Sequence, residues 1–257
     1  MEIERLKGLA AMSRKLNIVR LPIKLLIIFG LAYCADGFAS SVNIGQVIQS
    51  GGNNSLTIGA NSSDFVSGSG NKKELTQSLR KFDSIQTYVS AELNISQSKD
   101  FSIKITGDDN ILPLIKFNIE DETLKLYTEK SFSTKNPLVI DLSLGGLRSL
   151  LANGSGNISL KDVEGDHLQI ELNGSGDIFG SGVISQLNVV LQGSGDMDFT
   201  QLKSKNCEVS LIGSGDIAIF AEQSVNAKIQ GSGDISVSGH PGTVKQSIDG
   251  AGQITVK

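Results

Sequence analysis

The chain has 257 residues, 23 basic and 27 acidic side chains, a formal net charge of −4, no Trp, 29 Gly and only 4 Pro. High Gly with low Pro disfavours a helical bundle and suits many tight turns between short strands. Residues 1–39 hold six of the basic and three of the acidic side chains, so the remainder stands at −7. A body that acidic is a poor partner for a polyanion, which excludes nucleic acid as the expected ligand.

In chain order, the first element is an apolar run of 11 residues, Leu25–Ala35, behind a basic stretch and ahead of small residues. This is the layout of a secretory signal peptide over residues 1–39, with cleavage after Ala39, and Met12 as an alternative start. Eleven residues are too few to span a bilayer, where about 20 are needed. Leu31-Ala32-Tyr33-Cys34 loosely matches a lipidation motif, so attachment of a lipid at Cys34 is the second reading of this segment. Residues 40–78 are rich in Ser, Gly and Asn and are expected to form a flexible linker, a hairpin of the two short apolar patches Val47-Ile48 and Leu56–Ile58 being the alternative.

From Phe82 onward the pattern alternates with period two. Strands are expected over Ile85–Ile95, Phe101–Ile105, Leu114–Ile119, Leu124–Tyr127 and Leu138–Leu144. Repeats follow. Gly-Ser-Gly recurs at Gly154, Gly174, Gly193, Gly213 and Gly231, and Gly-Ala-Gly begins at Gly250. The spacing is about 19 residues, and apolar columns keep step with it on both sides of each glycine pair. Two positions before lie Ala152, Leu172, Leu191, Leu211, Ile229 and Ile248. Four positions after lie Ile158, Ile178, Met197, Ile217, Ile235 and Ile254.

Apolar residues two apart share one face of a strand, so columns that repeat once per coil can stack into continuous inward ladders. The expected architecture is an all-β parallel solenoid over residues 79–257, with coils about 4.8 Å apart and a stack of about 25–30 Å. The corner glycines Gly154, Gly156, Gly174, Gly176, Gly193, Gly195, Gly213, Gly215, Gly231, Gly233, Gly250 and Gly252 are read as structural. A corner needs backbone angles or close approach that glycine alone tolerates cheaply. The serines between them could form a hydroxyl ladder.

The strand order from Phe82 to Tyr127, the segment Leu138–Leu144 and the tandem GSGD units resemble the auto-transporter adhesin head GIN domain family over residues 79–257. The resemblance implies a right-handed β-helix on an exported bacterial protein, and it supplies no catalytic residues. The chain departs from the family habit at Ala91-Glu92 and at Gly145-Gly146.

The sharpest chemical feature is an acidic column, Asp177, Asp196, Asp216 and Asp234, flanked by Asn157 and Gln253. In-register carboxylates at that spacing repel by about 1 kcal/mol per neighbouring pair in water. Three readings answer this: turn-forming Asp bonded to backbone amides of its own turn, a Ca2+ site, or a row that contacts a ligand. Cys207 falls in an inward column and is expected to be a buried apolar residue rather than a nucleophile. His167 and His240 stand alone, without the neighbours a zinc site needs.

The expected function is an exported envelope or surface module that binds or builds structure, an adhesin among the options, without catalysis. A periplasmic structural protein and a β-helix carbohydrate-active enzyme are the alternatives. No cofactor is expected apart from the Ca2+ option. The expected partner is a protein, a glycan or a second copy, and an exposed strand edge at the C-terminal coil is expected to be covered by a partner or a second copy.

Overall fold

The computed structural model describes residues 65–257. The expected signal peptide, Cys34 and residues 40–64 lie outside the described residues.

The chain enters through β1 (Phe65–Ser67) and β2 (Lys72–Ser78), continues with β3 (Ser84–Thr87), β4 (Glu92–Gln97) and β5 (Ser102–Asp108), and makes one 3-10 turn at Leu112–Leu114. Then come β6 (Ile115–Glu120), β7 (Thr123–Thr128), β8 (Ser131–Ser133) and β9 (Val139–Leu144). The repeats supply β10 (Ser149–Gly154), β11 (Ile158–Gly174), β12 (Ile178–Gly193), β13 (Met197–Gly213) and β14 (Ile217–Gly231). The chain closes with β15 (Ile235–Ser238), β16 (Thr243–Gly250) and β17 (Ile254–Val256).

The pairing is that of a solenoid. From β10 onward every pair is parallel, with corners stacked in register: Gly154 on Gly174, Gly174 on Gly193, Gly193 on Gly213, Gly213 on Gly231 and Gly231 on Gly250. Each coil runs along one face, turns at Gly-Ser-Gly and runs back along the second. It then crosses a short third segment, where the register slips by bulges such as that between Leu160 and Val163. The inward ladders are dry. Leu150, Ile170, Val189, Val209 and Ala227 are all buried, as are Ile158, Ile178, Met197, Ile217 and Ile235. Cys207 lies in the ladder of Leu187 and Val225, and burial pushes its thiol up to about 11, against a smaller opposing effect of Ser204.

Two constraints, backbone angle and close approach, fix the glycines of each corner. The first of each pair has φ between +135° and +155°, a region that L side chains avoid. The second has ordinary φ, but a Cβ there would fall 1.9–2.3 Å from a carbonyl oxygen of the coil below. The serine between them is exposed and bonds across coils through its backbone N–H, as from Ser194 to the Gly174 carbonyl at 3.1 Å. The expected hydroxyl ladder between these serines does not form; Ser155 Oγ instead donates to Ser90 Oγ at 3.3 Å, outside the repeats.

Two expectations change at the N-terminal end. The linker reading of residues 40–78 does not hold for Phe65–Ser67 and Lys72–Ser78. β1 lies parallel to β8, and β2 runs antiparallel along β5. All of β2 is exposed, and its sequence KKELTQS carries one apolar residue, so no alternation marks it. Ladder hydrogen bonds hold it, and it covers the edge of β5 with charged side chains. The single strand expected over Ile85–Ile95 is broken into β3 and β4 by a corner at Tyr88–Ala91. Ser90 and Ala91 occupy there the place that Gly-Ser-Gly takes above, with the Ala91 carbonyl directly beneath Gly156.

A buried carboxylate ties this end together. Asp108 accepts the backbone N–H groups of Gly70 at 3.0 Å, Lys135 at 2.7 Å and Asn136 at 3.3 Å, and the Asn136 side chain at 2.6 Å. Burial alone would raise its pKa. The amides of Lys135, Asn136 and Gly70 outweigh that and hold it below the ordinary carboxylate value.

Candidate functional site

The segment from β7 to β9 leaves the sheet, forms β8 against β1, and returns. In doing so it faces the first corners of the solenoid and borders an open groove of about 810 Å³. That size suits a small-molecule or oligomeric ligand. One wall is the Thr128–Thr134 stretch with Phe132. The other is made by the corner residues Ser90, Ser155 and Asn157 and by the outward positions of three stacked strands, Asn94 on β4, Ser159 on β11 and Phe179 on β12. Parallel stacking puts these last three in one row, since Asn94 pairs with Ser159 and Ser159 with Phe179.

The lining has a distinct chemistry. Tyr88 and Phe179 are each 51% exposed, unusual for aromatic side chains, and both open on the groove. Ser90, Asn94, Thr128, Ser131, Ser133, Thr134, Ser155, Asn157 and Ser159 contribute hydroxyl and amide groups. The charged residues of the lining are one carboxylate, Glu92, and one ammonium, Lys130. A ring stacks on an exposed aromatic, and hydroxyls and amides exchange hydrogen bonds with a polyhydroxylated ligand. Glycoside hydrolysis in its usual form needs two carboxylates flanking the bond, and the lining offers one. The groove escaped sequence reading because its walls come from positions up to 91 residues apart, Tyr88 and Phe179 at the extremes. The one local signal was the aromatic at an outward strand position, Phe179.

The acidic column runs up the stack from Asn157 at the groove, and its members Asp196, Asp216 and Asp234 lie with Asp198 beside a depression of about 240 Å³. Its carboxylates do not bond amides of their own turn, as the turn reading had it; they bond the next coil. The Asp196 N–H donates to Asp177 Oδ1 at 3.0 Å, Asp216 to Asp196 at 2.9 Å, Asp234 to Asp216 at 2.9 Å and Gln253 to Asp234 at 2.8 Å. Asn157 starts the same chain by accepting from Asp177 at 3.2 Å. Each carboxylate thus gains an N–H that offsets repulsion from its neighbours, and the row acts as a side-chain rail along the corner. No cluster of three or more potential metal ligands forms among the described residues. We expect the melting midpoint to be the same, within about 1 °C, in excess Ca2+ and in excess chelator. A rise of several degrees with Ca2+ would establish an ion on this row.

The histidines stay apart from the groove. His167 is exposed on β11, and His240 sits in the Gly239–Gly242 turn with φ of +55°. Neither lines the groove with Glu92 and Lys130.

The family described as "Putative auto-transporter adhesin, head GIN domain" matches residues 81–241. No curated protein matches the chain. Among solved structures, "a putative adhesin" from Bacteroides fragilis is 22% identical with a TM-score of 0.61, covering 75% of this chain and 100% of its own. A "putative lipid binding protein" from Parabacteroides distasonis is 24% identical with a TM-score of 0.51, covering 75% of this chain and 99% of its own. At these identities the likeness concerns the fold.

Proposed function

Because this chain belongs to the head GIN domain family of auto-transporter adhesins, we propose that it is an exported envelope module that binds a glycan in the groove beside its first coils, without catalysis. The observation that carries the reading is the lining: two half-exposed aromatics, Tyr88 and Phe179, among nine hydroxyl and amide side chains, with a single carboxylate. The family supports a place at the cell surface, where such a module meets glycans. A lipid acyl chain would need a continuous apolar lining, and here Ser, Thr and Asn separate the aromatic surfaces.

The test is a glycan-array screen of the chain and of the Tyr88→Ala/Phe179→Ala variant. Stacking on each ring contributes about 0.5–1.5 kcal/mol, so the double variant is expected to lose at least about fivefold in affinity for the best glycan. A screen without a glycan hit, binding to lipid vesicles instead, or a double variant that binds as well as the parent would overturn the reading.

A further inference from the structure

The two ends of the solenoid are finished differently. At the N-terminal end, β2 lies over β5 and presents the polar sequence KKELTQS to solvent. At the C-terminal end the inward columns continue into the last coil without cover among the described residues. Val225, Ile229 and Val237 are 2%, 0% and 1% exposed, whereas the residues stacked on them, Val244, Ile248 and Val256, are 38%, 45% and 38% exposed. Every residue of β16 is exposed, and β16 pairs only with β14 among the described residues. This is an eight-residue strand edge with apolar side chains, a template for another strand.

We propose that this edge pairs with the same edge of a second copy, antiparallel about a twofold axis centred on Ser247. The stacking fixes which side each residue takes. Val244, Gln246 and Ile248 continue the inward columns of Val225, Ala227 and Ile229, so Lys245, Ser247 and Asp249 face outward. In an antiparallel pair, residues directly opposite each other point to the same side of the sheet. A twofold at Ser247 therefore sets Lys245 of one copy against Asp249 of the other, twice, and sets Gln246 against Ile248 on the inward side. The strand is self-complementary in charge, which a twofold interface requires and a strand facing solvent does not. The pairing satisfies the open backbone edge and shields Ile248 in the same step.

The register makes a prediction that folding defects cannot imitate. The purified chain is expected to have the mass of a dimer by light scattering. Lys245→Asp places two carboxylates opposite two carboxylates, and Asp249→Lys places two ammonium groups opposite two ammonium groups. Each variant is expected to run as a monomer, with an unchanged strand signal in circular dichroism. An equimolar mixture of the two restores both opposite-charge pairs and is expected to give a mixed dimer. Three results would each overturn the proposal: a parent chain that is monomeric up to ~100 µM, single variants that still dimerise, or a mixture that stays monomeric.

Discussion

Replacing Gly195 with Ala is expected to lower the melting temperature by about 10 °C, from a loss of about 4 kcal/mol. Gly195 does not sit at positive φ, so the effect isolates close approach from backbone angle. Its Cβ would lie 1.9 Å from the Gly176 carbonyl oxygen and 3.0 Å from the Gly176 carbonyl carbon. Both are backbone atoms, and both coils are fixed by ladders on either side of the corner. Neither can withdraw without opening hydrogen bonds such as Ser194 to Gly174 and Met197 to Asp216. Two controls bracket the effect. Ser194→Ala removes an exposed hydroxyl and is expected to change stability by no more than about 0.5 kcal/mol. Gly165→Ala places a Cβ 3.7 Å from Ile184 Cδ1, an ordinary contact, and is expected to be neutral or mildly stabilising through the unfolded chain. Thermal unfolding followed by circular dichroism reads all three. A Gly195→Ala chain that melts with the controls would mean that the corners are not stacked at this spacing.

The repeat carried most of the architecture in plain view because a solenoid writes its contacts into the sequence at a constant interval. Ile170 meets Val189 because both stand four residues before a Gly-Ser-Gly, and the same holds for the other inward columns up to Val237. Where contacts are not periodic, the sequence was silent. β2 lies in its ladder through backbone hydrogen bonds and one exposed ion pair, Glu74 with Lys104 of β5, and none of its side chains is buried, so they show no alternation to read. The corner at Tyr88–Ala91 turns without Gly-Ser-Gly, since the chain beneath it leaves between β7 and β9 instead of turning a stacked corner, and so it read as continuous strand. The acidic column was visible, but its partners were not. A carboxylate that bonds its own turn and one that bonds the next coil look alike in sequence, and only the stacking separates them. The groove is harder still, because it depends on where the excursion from Thr128 to Leu138 lands.

The groove and the C-terminal edge lie on different parts of the chain, the first among Tyr88, Ser155 and Phe179 and the second on Thr243–Gly250. The proposed pairing at the edge would therefore leave both grooves of a dimer free. If both proposals hold, two sites on one dimer would engage a surface of repeated glycans with an avidity that can exceed either single affinity by about 10²–10⁴-fold when the spacing allows both to bind. A module without deep enclosure of its ligand gains from that arrangement, since shallow stacking contacts give modest affinity one at a time.

The interior makes the second large prediction. Phe199 is fully buried, and the position stacked beneath it in the column is Gly180, the one glycine among Leu160, Phe199, Ile219 and Val237. A Cβ on Gly180 would lie 2.6 Å from Phe199 Cδ1 and 3.0 Å from Cε1, so the ring of one coil fills the space that the coil below leaves empty. Phe199→Ala is expected to cost about 3–5 kcal/mol, because the cavity would lie between two fixed ladders that cannot collapse into it. Gly180→Ala overpacks the same spot and is expected to cost about 2 kcal/mol. The two positions share one volume, so their effects should not add. In the background of Phe199→Leu, whose shorter side chain withdraws from that contact, Gly180→Ala should cost at least about 1 kcal/mol less than it does in the parent. Denaturant unfolding of the four chains of this cycle measures the difference. Strict additivity would show that Phe199 and Gly180 do not meet, and that the coils are offset from the stacking described above.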